Sequence, residues 1–390
     1  MRRHGTVEHE IYLDNAATTP VYPDVARAVM KCMIEDFGNP SSLHRMGLRA
    51  ERKLKEARER IASALGVDAD GIFFTSGGTE ANNLAIVGTA LARKREGRHC
   101  ITTQIEHPSV LNTFKYLEKE GWEVTYLPVN KEGVISLDDL KKALRPDTVL
   151  VSIMHVNNEI GSIQPVNEIS NLLKTHGNAP VFHVDAVQSF GKLTLKPAQW
   201  GIDLLSISGH KVHAPKGIGA LYIRKGVKIH PLQWGGGQEK GVRSGTENMP
   251  GIVGFGEAVR WLEEVDRDYL YRLKGILVAE LIERVPSAVI NGPSPEKGAP
   301  HILSVSFPGI RGEVMLHALE EKGVYVGTGS ACSSKKGHVS HVLEAIGSRK
   351  DIAQGAIRIS LSYLNTEDDV RRAAGLIQEC VKELEGFVRR

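Results

Sequence analysis

Between residues 71 and 225, short apolar runs alternate with stretches of helical spacing, and this alternation constrains the fold more than any other feature. The candidate strands are 72–75, 100–103, 123–128, 149–154, 181–184, 204–208 and 219–223. Between them, Val110, Leu111, Phe114 and Leu117 recur as one helical face, and Ile169, Leu172 and Leu173 do the same ahead of Gly177. Parallel strands cannot be joined by a tight hairpin and are usually returned by a helix, so this order predicts a mainly parallel sheet covered by helices. Upstream, Leu54, Ala57, Ile61 and Leu65 share a helical face that Gly66 stops.

The pattern changes after about residue 260. A long helical stretch over 252–284 leads to Gly292 and Pro293, then a strand at 301–307, a helix at 312–321 and strands at 324–327 and 358–361. A closing helix over 366–384 opens with Thr366 and Asp369 placed as a capping box. The expectation is an α/β protein with a large domain, 16–260, on a mainly parallel seven-stranded sheet. A smaller α+β domain is formed by 1–15 and 261–390. A chain of 390 residues is long enough for two cores.

Composition narrows the class. A net charge of +3 is too mild to argue for nucleic acid or an anionic membrane surface. The densest basic cluster, Arg93, Lys94, Arg95 and Arg98, falls where a helix should end and suits the negative pole of its dipole. The first ten residues hold no apolar core of a secretory signal, and no apolar run approaches the ~20 residues that span a bilayer. The four cysteines, Cys32, Cys100, Cys332 and Cys380, are scattered without a CxxC pair. A reducing, cytoplasmic setting is expected, in which a lone cysteine is a buried small hydrophobe or a reactive thiol.

Several strand ends carry chemistry. The strand at 181–184 runs into Asp185 and the strand at 204–208 into Gly209-His210-Lys211. Either could be ordinary: an Asp that caps a turn, a lysine at the surface. Together, at the carboxyl ends of parallel strands, they fall in one crevice. A lysine that binds a carbonyl must be partly desolvated so that its amine can be neutral, and pyridoxal phosphate (PLP) needs a carboxylate at its ring nitrogen. Gln188 could reach the ring hydroxyl. The run Thr75-Ser76-Gly77-Gly78-Thr79-Glu80-Ala81-Asn82-Asn83 joins a strand to a helix through small residues. It reads as an anion cradle of backbone N–H groups, or as a tight turn capped by Ser76 or Thr79. His107, in Glu106-His107-Pro108-Ser109, could stack on a flat ring and exchange protons near neutral pH. Cys332 stands in the Gly- and Ser-rich run 327–337, which predicts a mobile loop. Lys335 and Lys336 just beyond it favour thiolate.

These blocks, with Tyr12-Leu13-Asp14-Asn15-Ala16-Ala17, Met154-His155-Val156-Asn157-Asn158-Glu159, Arg243-Ser244-Gly245-Thr246 and Gly329-Ser330-Ala331-Cys332, resemble the group I cysteine desulfurases of the NifS/IscS type. Those are fold-type I PLP enzymes, and the resemblance runs over nearly the whole chain. It implies that Lys211 holds PLP and moves the substrate α-proton. Asp185 would face the ring nitrogen and Gln188 the ring oxygen. Gly78, Thr79, Ser208 and His210 would bind the phosphate, while Thr246 reaches the phosphate of a second subunit in a homodimer. His107 would stack on the ring as acid or base. Asn158 would hold the ring side and, with Arg358, the substrate carboxylate. Cys332 would take sulfur from L-cysteine as a persulfide, leaving alanine, and hand it to an iron–sulfur scaffold or a tRNA or cofactor thiolation protein. No metal site is expected beyond a contact of that persulfide with a nascent iron–sulfur cluster. Direct nucleic-acid and membrane partners are not expected. Another fold-type I enzyme, a lyase or an aminotransferase, would share Lys211 and Asp185 without needing Cys332. A silent scaffold subunit would not need Lys211.

Overall fold

The computed structural model describes residues 10–329 and 339–388, so Cys332, Lys335 and Lys336 lie outside the described residues. The large sheet has seven strands in the order β2-β8-β7-β6-β5-β3-β4. They are β2 (Ile72–Thr75), β3 (His99–Thr103), β4 (Glu123–Leu127), β5 (Thr148–Met154), β6 (Val181–Asp185), β7 (Leu204–Ser208) and β8 (Gly219–Ile223). Every strand lies where the apolar runs put it, to within a residue at the ends. The central ones are buried along their whole length, as helices on both faces require. The sheet tolerates a polar layer because that layer is satisfied: His183 on β6 is held between Ser152 Oγ at 2.8 Å and Ser206 Oγ at 2.9 Å. Burial pushes its pKa down to about 3.

One reversal shapes the site. β8 pairs antiparallel with both β2 and β7, so β2 runs parallel to β7 although the two do not touch. The carboxyl ends of β2, β5, β6 and β7 therefore open on one edge. The crossing is tight: a Cβ on Gly219 would lie 2.7 Å from Gly77 Cα and 2.7 Å from Ile207 O, so only glycine starts β8.

A separate apolar cluster is built from Leu270, Leu273, Leu277, Met315, Leu319, Ile357, Ile359, Val370 and Ile377. It packs beneath the antiparallel sheet β12-β10-β9, with β9 Val289–Asn291, β10 Ile302–Ser306 and β12 Ala356–Ser360. β1 (Ile11–Tyr12) joins this unit by pairing parallel with β11 (Val324–Tyr325), which is shorter than the expected 324–327. The last helix, Glu367–Val388, starts with the anticipated capping box. Thr366 N donates to Asp369 Oδ2 (2.9 Å) and Asp369 N to Thr366 Oγ1 (3.1 Å).

The expected helix over 252–284 is instead two, Met249–Trp261 and Asp268–Arg284. Glu263, Glu264 and Asp266 fall at the break. Acids disfavour the carboxyl end of a helix, and Asp266 Oδ1 accepts from Asp268 N to open the next one. The first helix buries Ile252, Phe255 and Val259 in the large core. The second turns Leu270, Leu273 and Leu277 into the small one.

The turn Glu239–Gly241 is tied to the edge of the sheet. Glu239, buried and in left-handed backbone, takes Phe74 N at 2.8 Å and both Arg58 Nη atoms at 2.9 and 2.6 Å. Glu239→Ala removes one member of a buried pair and strands a backbone N–H. We expect it to cost about 3 kcal/mol and to lower the thermal midpoint by several degrees, read by circular dichroism.

Candidate active site

The carboxyl ends of the large sheet border a cavity of about 340 Å³. Lys211 enters it from the short turn Gly209–Lys211 that follows β7. Its Nζ donates to the carbonyls of Ala16 and Ala17, each at 2.6 Å. Burial, then the nearby Arg358, pull its pKa down to about 8, against the opposing pull of Asp14 and Asp185. Behind it, Lys192 donates to the Lys211 carbonyl, and Gln188 Nε2 donates to Ala16 O at 3.0 Å. The stretch Ala16–Thr19 is thus clamped onto the lysine turn, with Thr19 N and Oγ1 donating to His210 O at 2.9 and 3.0 Å.

Asp185 ends β6 and is buried. Its Oδ1 accepts from Val187 N (2.9 Å) and its Oδ2 from Asn82 Nδ2 (2.7 Å). That leaves lone pairs for a further donor in the cavity. His107 caps the helix Pro108–Lys119, its Nδ1 accepting from Ser109 N at 3.1 Å. Burial holds its pKa below the usual value; Asp185 opposes this, and Lys211 and His341 add to it. Beneath it the fully buried Glu106 accepts from Thr103 Oγ1 (2.8 Å) and Met154 N (3.0 Å), and burial pushes its carboxyl up to about 8.

The helix Gly78–Arg93 starts at the cavity without a side-chain cap, so neither Ser76 nor Thr79 fills that role. Glu80 instead folds back to Ser76 N at 2.8 Å and pairs with Arg243. Glycine is required at Gly78, where a Cβ would stand 2.7 Å from Val187 Cγ2. Ser208 Oγ is buried beside this turn with no partner. An uncapped helix N-terminus, an unpartnered hydroxyl, a desolvated amine and a buried carboxylate on one cavity fit a phosphorylated pyridine aldehyde.

Arg358 on β12 reaches the opposite wall. Its Nη1 donates to Asn158 O (2.9 Å), its Nη2 pairs with Asp14 (2.8 Å), and its Nε is buried without a partner. Gly327 must be glycine here, since a Cβ would lie 2.6 Å from Asp14 Oδ1.

Of the residues singled out from sequence, Gly78, Thr79, His107, Asn158, Asp185, Gln188, Ser208, His210, Lys211 and Arg358 all line the cavity. Thr246 is exposed and is not among its lining residues. Sequence reading assigned no role to Asn82, Ser109, Glu159 or His341, which line it too. The signal for Asn82 was a polar residue on a helix face otherwise made of Ala81, Leu84 and Ala85. Among the described residues no cluster of His, Cys, Asp and Glu is placed to hold a metal ion, and no helix is long and apolar enough to cross a membrane.

A family model described as aminotransferase class-V matches residues 11–373. The chain is 46% identical over 381 residues to the cysteine desulfurase IscS of Dictyoglomus turgidum, covering 97% of this chain and 96% of that one. Among solved structures it resembles a NifS-like protein at 42% identity and a TM-score of 0.90, over 96% of this chain and all of that one (100%). It also resembles SspA in complex with cysteine at 40% identity and a TM-score of 0.81, over 90% and 98% of the two chains.

In the cofactor-free protein, acylation of Lys211 by acetic anhydride should climb about tenfold per pH unit up to pH 8 and then level off. Surface lysines keep rising past pH 10, the usual lysine range. Peptide mass spectrometry reads both, and a Lys211 profile that follows the surface residues contradicts the assignment.

Proposed function

The chain belongs to the class-V aminotransferase family, and from that premise we propose that it is a PLP-dependent cysteine desulfurase. It converts L-cysteine to L-alanine and passes the sulfur through a persulfide on Cys332. The observation that carries this reading is that Lys211, Asp185, Gly78 and Arg358, drawn from four separate parts of the chain, share one cavity. The kinship to desulfurases over nearly the full length supports it.

PLP, when bound, draws electrons from the substrate α-carbon and makes its proton removable. The protein's residues do the rest. Lys211, whose pKa burial pulls down to about 8, would hold the cofactor carbonyl and carry the α-proton. Asp185 would hold the ring nitrogen protonated and Gln188 would meet the ring oxygen. Gly78, Thr79, Ser208 and His210 would hold the phosphate. Arg358 and Asn158 would fix the substrate carboxylate, a task for which a guanidinium fork is shaped. His107, on the cavity wall, would stack on the ring and handle a proton. The Cys332 thiolate attacks the substrate sulfur; an S–S bond forms, the C–S bond breaks, and the carbon fragment leaves as alanine after protonation. Gly329 and His341, which flank Cys332 in the sequence, both line the cavity.

The protein works as a homodimer in this reading, with Thr246 serving the partner's phosphate. Its exposure away from its own cavity and the bare apolar side chains of Met30, Met33, Ile34 and Phe37 support that. The two apolar clusters support division into a domain of 16–260 and one of 1–15 with 261–390. The sulfur acceptor is an iron–sulfur scaffold or a thiolation protein. The cytoplasm suits a chain whose Cys32, Cys100 and Cys380 are free and buried.

Cys332→Ala should keep the visible absorbance of bound PLP and lose at least ~100-fold in alanine formed from L-cysteine with a thiol reductant. Full turnover in that variant would remove the persulfide route.

A further inference from the structure

The hydrogen bonds around Asn82 can be ordered in one direction only. The carboxylate oxygens of Asp185 accept, so the Asn82 atom 2.7 Å from Oδ2 is its amide nitrogen. The second N–H of that amide meets Ser109 Oγ at 2.9 Å, where the hydroxyl must accept. Ser109 then gives its own proton to His107 Nδ1, 2.8 Å away. The Ser109 backbone N–H reaches the same nitrogen at 3.1 Å. Nδ1 therefore receives two donors and bears no proton in the neutral ring.

We infer that Asn82, acting through Ser109, is a positioning residue that fixes the tautomer of His107, leaving the ring proton on Nε2. Asn82 and Ser109 both lie on the cavity wall, beside the groups they orient. The consequence is a division of labour. A neutral His107 offers the cavity an N–H donor, and its one lone pair is already engaged. The amine of Lys211 is the group free to accept the α-proton. His107 can gain a second proton only by turning the Ser109 hydroxyl around, because that hydroxyl and the Ser109 backbone N–H both donate to Nδ1. The charged or titratable groups facing the ring are Asp185 from β6, Lys211 from the turn after β7, and His341 from the helix His341–Ala345.

The inference rests on the reading of Asp185 and His107 as the flanks of the cofactor, yet the tautomer belongs to the cofactor-free chain, so it is tested there. The full-length protein carrying ¹⁵N-histidine, with His107 assigned by loss of its signals in His107→Gln, should show a single Nε2–H ring. A donor to Nδ1 favours the neutral form, so removing it lets the ring protonate at higher pH. In Ser109→Ala, and in Asn82→Leu and Asn82→Ala, the His107 titration should rise by about half a unit. Ser109→Thr should restore it. In the PLP-loaded protein the acid limb of alanine formation should move up by the same amount in Ser109→Ala. A wild-type ring protonated on Nδ1 overturns the inference, as does an unchanged titration in the folded Asn82 variants. Absence of alanine formation with the NMR result intact would instead count against the proposed reaction.

Discussion

Keeping one lysine amine out of water without giving it a carboxylate partner is the constraint on which the rest of this site depends. Lys211 rests on two backbone carbonyls, which hold the amine in place but do not lock it as a cation. A direct ion pair would have held its pKa high and the amine protonated. Here Asp14 and Asp185 act only at a distance and are outweighed by burial and by Arg358. The carboxylates of the site are committed elsewhere: Asp14 to Arg358, Asp185 to Asn82 and a backbone N–H.

Bringing these groups together is the work of the sheet. Parallel strands deliver Asp185 and the lysine turn to one edge. The antiparallel β8 lets a strand distant in sequence, β2, deliver the glycine turn to that same edge. The small unit then supplies what the sheet cannot, Arg358 from β12, held by Gly327 and Asp14. Charge and backbone conformation are settled together there, since the glycine exists to let the ion pair pass.

The strands were legible because buried parallel strands are continuous apolar runs, and Lys211, Asp185 and Gly78 were legible because each sits where such a run stops. The break near residue 265 was not, since helical spacing records that a face is apolar but not which core it faces; Phe255 and Leu273 look alike in sequence and serve different clusters. Asn82 was hidden for a similar reason: its role lies in two partners, one 103 positions away and one 27. That Arg358 is shared with Asp14 was equally invisible, as the pair spans 344 positions.

The segment that carries Ala16 and Ala17 has a double allegiance. A few residues earlier it is stitched to the small unit, with Leu13 O taking Ser360 N and Ala16 N donating to Ser360 Oγ at 2.8 Å. A few residues later it is bound to the lysine turn through Thr19. The carbonyls that hold the amine therefore lie on the one stretch of chain that is bonded both to β12 and to the lysine turn.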